Sequence, residues 1–365
     1  MVRSGRPRRI ALLAAHSAAE ADGIRDYTRR LSATLRATGL DAQQLEWGNG
    51  GPPAENGSGH PSVAADLEDA DALILQYCPF SFGRRGFAPT LPLFLGRLRR
   101  KRPRPLIAVM FHETAVDMKN LRWMLMGAWQ RAQLLAIQAT ADVQLCSIQR
   151  WSERLRRTAL GRPVHHLPVA SNLPDARAHR REARRRMGAG PETVVLSCIG
   201  LRHPGRLQEH VLASARAAGA SARSVLLLDL GPGAPSVVRL AENVELRATG
   251  FLPADDLAQR IAASDVFLAP YMDGVSTRRS TVMSALQHGV AVVGTRGHLT
   301  DDILAAAPQL RLAKPDRPDS FAATVTRLVR DPDHRASLGA AGRELYETFF
   351  DWPVLVQRLR SHLDV

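Results

Sequence analysis

Short apolar runs alternate with longer amphipathic stretches along this chain. "RRIALLAA", "ADALILQY" and "PLIAVMFHE" are nearly apolar throughout, the pattern of strands buried on both faces. "GIRDYTRRLSATLRATG" sets Ile24, Tyr27, Leu31 and Leu35 on one helical face and stops at Gly39. "NLRWMLMGAWQRAQLLAIQATA" predicts a longer helix, "DVQLCSI" a short strand, and "PVHHLPV" closes this half. Such alternation predicts a parallel sheet with helices on both faces.

The pattern breaks at "DARAHRREARRRMGAGPE" and then restarts. Arginines 177, 180, 181, 184 and 185 fall at helical spacing and predict one basic face. Gly-Ala-Gly-Pro after them reads as a linker. Strands are then expected at "TVVLSCIG", "SVLLLDLG", "VELRATGF", "DVFLAPY" and "VAVVGT", with helices between them. The expected organisation is two Rossmann-like doubly wound α/β domains facing a central cleft. The first spans 1–182, a linker 183–192, the second 193–347, and a last helix 348–365 crosses back to the first. Trp352-Pro353 breaks the helical pattern there and permits the redirection. Sheets of this kind bind ligands at the carboxyl ends of their strands.

Composition narrows the class. The 365 residues are 45% hydrophobic and 23% charged, as in globular proteins, and no apolar run reaches membrane-span length. "MVRSGRPRRIALLAAHS" reads as a first strand, its apolar run being short for a signal core. Cys78, Cys146 and Cys198 have neither metal nor redox spacing and are expected as reduced core thiols, so a cytoplasmic protein is expected. The net charge of +14 points to anionic partners: phosphorylated substrates, nucleic acid or an acidic lipid surface. Two basic stretches, 97–104 and 177–186, read either as solvated surface or as a patch for an anionic membrane, with nucleic acid the less favoured partner.

No zinc spacing, Walker loop, GxGxxG fingerprint or GxSxG elbow occurs, and no Asp-x-Asp metal pair stands in a substrate position. Chemistry is therefore expected in the strand-end loops. In "AAHSAAEADGIRDY", Gly23 either admits a ligand to the backbone or follows an ordinary turn capped by Asp22. In "FHET", His112 and Glu113 emerge from a buried strand as functional groups or as a core-edge pair. Arg202 and Arg206 in "IGLRHPGRL" are solvated or face an anion. "PYMDGVSTRRSTVMSALQHG" predicts a helix capped by Ser276 or Thr277. Arg278 and Arg279 would then sit in its first turn, an unfavourable place for cations unless an anion binds there.

These pieces together resemble the family 4-type glycosyltransferases of GT-B architecture. The resemblance rests on "DGIRDYTRRLSATLRATG", "LQYCPFSFGRRG", "FHE", "PVASNLP", "TGFLPADDLAQRIAASDVFLAPYMDGVSTRRS", "ALQHGVAVVGT" and "FFDWP", in that order. It implies a nucleoside-diphosphate sugar on the second domain and an acceptor on the first. Arg202 and Arg206 match the basic pair at the donor diphosphate, and Phe251 and Leu252 lie where the nucleobase is held. His112 matches a catalytic-site histidine that touches the donor sugar, and Gly23 lies near sugar and diphosphate. Gly274, Val275, Ser276, Thr277, Arg278, Arg279 and Ser284 form the rest of the implied donor region. His16, Tyr27, Tyr77 and Glu113 are the implied acceptor contacts. Where the family carries two glutamates, this chain has Ser276 and Ser284, and Asp273 is the carboxylate expected to serve the sugar instead. The expected reaction is metal-independent transfer, with retained anomeric configuration if the family mechanism holds. A non-catalytic nucleotide-sugar-binding subunit and a nucleotide-sugar epimerase are the alternatives.

Overall fold

The structure is a computed structural model and describes residues 9–17, 22–48, 67, 69–116 and 120–364. It divides into two compact units, Met1–Pro168 with Leu355–Val365, and Val169–Val354.

The first unit is built on a six-stranded parallel sheet. Its strands are β1 (Arg9–Ala15), β2 (Asp41–Trp47), β3 (Ala72–Tyr77), β4 (Leu106–Phe111), β5 (Val143–Cys146) and β6 (Val164–His166). Their order is β2-β1-β3-β4-β5-β6, with pairings such as Ile10↔Ala72 and Ala72↔Leu106. The chain moves one way from β1 to β2 and the other way from β1 to β3. That reversal sets a crevice at the carboxyl ends of β1 and β3. The central strands are buried throughout, as their unbroken apolar runs require. β2 lacks such a run: "DAQQLEW" buries only Ala42, Leu45 and Trp47, because it is an edge strand.

The helix Gly23–Ala37 buries Tyr27, Leu31 and Leu35 as the spacing predicts. Leu355–Val365, the end of the helix Trp352–Leu363, groups with this unit. There His362 stacks on His165 of β6, ring centroids 3.9 Å apart.

The second unit carries seven strands: β7 (Thr193–Ile199), β8 (Ser224–Leu230), β9 (Ser236–Ala241), β10 (Val244–Ala248), β11 (Val266–Ala269), β12 (Ala291–Thr295) and β13 (Arg311–Ala313). The order is β13-β12-β11-β7-β8-β10-β9, parallel apart from the edge strand β9. Here the order reverses between β7 and β11, so their carboxyl ends flank the second crevice.

Two expectations about the basic stretches change. The segment 183–192 is not a free linker: Ala183, Met187 and Ala189 are buried in the second unit's core. The arginines around them do not form a bare basic face either. Arg180 and Arg184 pair with Asp265 at 2.7 and 2.9 Å, while Arg185 and Arg186 pair with Glu182. Asp265 also accepts the Val195 N–H at 2.8 Å, so one carboxylate ties the helix Arg180–Arg186 to the start of β7. Within 97–104, Arg99 and Arg104 likewise hold Asp142 at 2.9 and 2.6 Å. Helical spacing alone could not show these carboxylates, which arrive from distant sequence.

Replacing Asp265 by alanine leaves Arg184 and the Val195 N–H without their buried acceptor. A loss of about 3 kcal/mol is expected from urea unfolding, and an unchanged midpoint would refute the anchoring role.

Candidate functional site

The donor-side loop runs from Pro270 to Arg279, directly after β11. Gly274 has φ +87°, and a Cβ there would lie 2.3 Å from both the Gly297 N and the Thr300 Oγ1. Only glycine fits that left-handed, crowded position. The loop is pinned along its length. Tyr271 N–H donates to Thr295 Oγ1 at 2.9 Å, Val275 N–H to the Thr295 carbonyl at 2.9 Å, and Leu299 N–H to the Asp273 carbonyl at 3.0 Å. Asp301 Oδ2 accepts from the Thr277 N–H at 2.6 Å and its hydroxyl at 2.9 Å. The Val169 N–H donates to the Thr277 carbonyl at 2.9 Å.

The helix begins later than the sequence suggests. It spans Ser280–Gln287, with Arg279 at the N-cap position and no side-chain cap. Thr277 cannot cap it, because Asp301 already holds it. Arg278 and Arg279 therefore precede the first turn.

Both arginines turn to Asp273. Arg278 Nη2 donates to its carboxylate at 2.7 Å, and Arg279 Nη2 to both oxygens at 2.9 and 3.0 Å. Burial pushes the Asp273 carboxyl up, but Arg279 and Arg278 outweigh this and hold it below the usual range. Asp273 is thus engaged as a counter-ion, which its expected role as a carboxylate for the sugar did not foresee.

A third cation joins from the loop after β7. The Arg206 guanidinium carbon lies 3.9 Å from the centre of the Tyr271 ring, and that of Arg279 lies 4.0 Å from the same ring. Cation–π attraction to one electron-rich face system holds two like charges together. The two loops are also joined by backbone bonds, Leu207 N–H to Pro270 O at 3.0 Å and Met272 N–H to Gly205 O at 3.1 Å. Two guanidiniums thus share one carboxylate, and the third, Arg206, shares the Tyr271 ring with Arg279. Arg206 Nη1, Arg279 Nε and Ser276 Oγ are buried without a hydrogen-bond partner among the described residues. Buried polar groups without partners are costly, and donors so arranged suit an anion.

Other expected donor residues are placed differently. Arg202 is exposed and stands outside the stack on Tyr271. Val275 is fully buried core. The Ser284 hydroxyl is committed to the Ser280 carbonyl and Ser171 Oγ, both at 2.8 Å, and the residue is 2% exposed. Phe251 is exposed after Gly250, whereas Leu252 packs on the core.

In the first unit, His112 follows β4 and its Nε2–H donates to Gln76 Oε1 at 2.8 Å. Tyr27 packs edge-on to its ring, centroids 5.1 Å apart. Burial pushes the His112 pKa down to about 4, against a smaller opposing pull from Asp22, so the ring is neutral at neutral pH. Asp22 accepts from the Ile24 and Arg25 N–H groups at 2.9 and 3.0 Å, which makes the loop before Gly23 a capped helix start. Nothing lies within 4 Å of a Cβ built on Gly23, so the fold itself does not demand glycine there.

Two of the implied acceptor contacts are core residues. Tyr77 is fully buried, its hydroxyl bonded to Gln133 Nε2 at 3.0 Å and its pKa pushed up by burial to about 12. Tyr27 is 2% exposed, with its pKa pushed up by burial. Their aromatic bulk fills the gaps around β3 and the first helix. His16 is exposed and bonded to Glu46 at 2.7 Å, and Glu113 accepts from the Cys78 thiol at 3.7 Å.

Sequence reasoning missed Tyr271, Asp301, Gln76 and Ser171. An aromatic residue at a strand end, seven positions before two arginines, was a visible signal for Tyr271. The other three are recognisable only through their partners.

Comparison with known proteins fits this picture. Residues 195–331 match the family model described as Glycosyl transferases group 1, as the motif order in the sequence suggested. The fold of the chain is the α/β fold of GT-B glycosyltransferases. The chain is similar to sucrose-phosphate synthase from Thermosynechococcus elongatus, with a TM-score of 0.71 and 15% identity, covering 97% of this chain and 98% of that one. It is also similar to HepE from Anabaena, solved in complex with UDP-glucose, with a TM-score of 0.67 and 12% identity over 97% and 99% of the two chains. A Corynebacterium glutamicum protein described as a GDP-mannose-dependent monoacylated alpha-(1-6)-phosphatidylinositol monomannoside mannosyltransferase is 26% identical over 249 residues. That match covers 64% of this chain and 65% of the relative, just under two thirds of its length.

Because His112 is neutral when folded and protonates near pH 6.5 when unfolded, the unfolded chain binds more protons between those values. Its contribution to stability is therefore full above about pH 6.5 and falls as the pH drops towards about 4. Urea titrations at pH 7 and pH 5 are expected to show a larger loss in wild type than in His112→Gln. Equal losses would refute the buried neutral imidazole.

Proposed function

We propose that this chain transfers a sugar from a nucleoside-diphosphate sugar to an acceptor nucleophile on a glycan, lipid or small metabolite. One observation carries the reading: Arg206 and Arg279 stack on Tyr271, and Arg279 and Arg278 share Asp273 as their counter-ion, at the switch point of the second unit's sheet. Departure of a nucleoside diphosphate develops negative charge, and preorganised cations stabilise it. The similar proteins named above include a GDP-mannose-dependent enzyme and a UDP-glucose complex, which supports a nucleotide-sugar donor without choosing its base.

In this reading Arg206 and Arg279 meet the diphosphate with the donors they leave unpaired, and Asp273 keeps Arg278 and Arg279 aimed. Tyr271 fixes the spacing between the cations. The neutral His112 offers a ring nitrogen to a sugar hydroxyl, since Gln76 holds only Nε2. The transfer is metal-independent, because the guanidiniums supply the positive charge that a divalent ion otherwise brings. Retention of anomeric configuration goes with the family resemblance. A cytoplasmic setting is supported by three buried, unbridged cysteines.

A non-catalytic nucleotide-sugar-binding subunit is the second reading, favoured by Ser276 and Ser284 in place of glutamates. Thermal shift with UDP, GDP, ADP and dTDP tests the shared premise. A ligand at a hundred times its Kd adds about 2.7 kcal/mol to the folded state. No shift with any of the four would count against both readings.

Activity separates them. Arg206→Ala is expected to lower kcat by about a hundredfold or more, with little change in folding stability. Turnover at the wild-type rate would remove Arg206 from the diphosphate.

Chelation gives a separate check. Excess EDTA is expected to leave the transfer rate intact, and a strict requirement for a divalent ion would refute the metal-free mechanism.

A further inference from the structure

The helix Leu121–Thr140 in the first unit packs inward through Met126, Leu134 and Ile137, yet turns glutamines inward beside them. Its inward side carries Gln130, Gln133 and Gln138, all buried. Each is satisfied there. Gln130 accepts from the Val116 N–H at 3.0 Å and donates to the Arg85 carbonyl at 3.1 Å. Gln133 accepts from the Ala88 N–H at 2.8 Å and donates to the Tyr77 hydroxyl at 3.0 Å. Gln138 donates to Gln144 Oε1 at 2.8 Å and accepts from the Thr158 hydroxyl at 2.8 Å.

The outward side is apolar. Leu121, Met124, Leu125 and Leu135 are 74%, 49%, 60% and 48% exposed, at helical spacing, with exposed alanines at 128, 132 and 139 between and beyond them. Trp123 beside them is 39% exposed. The surface continues onto the neighbouring turn and helix. Phe87, 57% exposed, meets Trp129 edge-on at 6.2 Å, and Leu93 on the adjoining helix Thr90–Arg100 is 58% exposed. A surface helix ordinarily turns its polar side to water, so an apolar stripe of this length marks a contact surface.

The exposed charges described on the adjoining turn and helix have one sign. Arg84, Arg85, Arg97 and Arg100 are exposed on the adjoining turn and helix. No aspartate or glutamate occurs between Asp71 and Glu113, or between Asp117 and Asp142. Apolar side chains with a tryptophan, beside exposed arginines, match the boundary between acyl chains and anionic headgroups. The helix is 20 residues long yet is no membrane span: among the described residues, no helix is long and apolar enough to cross a bilayer.

We propose that the first unit docks on an anionic lipid surface through the outward face of Leu121–Thr140, with the helix lying along the interface. This does not rest on the glycosyltransferase reading. The site takes only Arg97 and Arg100 from the basic stretches singled out in the sequence, where Arg99, Arg104, Arg180 and Arg184 are engaged in ion pairs.

The test is sedimentation of the full chain with vesicles of phosphatidylcholine alone and of phosphatidylcholine with phosphatidylglycerol. Binding to the anionic vesicles is expected to exceed binding to neutral ones and to weaken with salt. The double variant Met124→Glu, Leu125→Glu is expected to lose about tenfold in partitioning at unchanged melting temperature. The charge variant Arg97→Glu, Arg100→Glu tests the same surface without touching the stripe and is expected to weaken anionic binding alone. Failure of wild type to bind anionic vesicles would overturn the proposal, as would undiminished binding in both variants. A stable dimer in light scattering that the Met124→Glu, Leu125→Glu variant dissolves would also overturn it, assigning the stripe to a second copy of the chain.

Discussion

Three guanidiniums close together repel one another, and the second unit's site is organised around containing that repulsion. The Tyr271 ring draws Arg206 and Arg279 to it, and the Asp273 carboxylate binds Arg278 and Arg279. Neither partner neutralises the cluster. Positive charge remains in a half-buried setting where screening by water and salt is weaker than at the surface. A site that keeps such an excess is prepared for an anion before one arrives, which is how preorganised electrostatics favours a departing diphosphate.

That containment depends on a backbone that does not yield. Gly274 takes a left-handed conformation against Gly297 and Thr300, and Asp301 and Thr295 fasten the loop on either side of it. The chain from Val169 to Ser171 completes the support, through the Val169 N–H on the Thr277 carbonyl and Ser171 on Ser284. Ser284 is therefore a packing residue of this loop. The serine that stands at the other glutamate position, Ser276, is buried with an unsatisfied hydroxyl and remains able to serve a ligand. The same sequence difference thus has two distinct structural meanings.

The first unit places its polar groups by a different rule. Glutamines face inward from the helix Leu121–Thr140 because loop backbone and the Tyr77 hydroxyl need partners there. Met126, Leu134 and Ile137 face inward with them, while Leu121, Met124, Leu125 and Leu135 are left outside. A stripe that would have been read as core by its spacing is surface, and it separates the two units' surfaces in character: cations around a ring in one, leucines and tryptophan in the other.

The sequence by itself determined the architecture. Runs such as "ADALILQY" and "SVLLLDLG" are buried strands because only a doubly covered sheet hides such continuous apolar surface, and the helix Gly23–Ala37 follows its own periodicity. It also pointed to the strand-end loops, which carry Arg206, His112 and the Tyr271–Arg279 segment. The edge strand β2 escaped because a strand covered on one side needs few apolar residues. Tertiary structure alone decided which charges are free. Arg180, Arg184, Arg99 and Arg104 look available in sequence, yet Asp265 and Asp142 reach them across long separations. Asp273 looked like a spare carboxylate and is a counter-ion. Periodicity records which face a residue occupies, but an ion pair or a cation–π stack depends on where two distant segments meet, and only the folded chain fixes that.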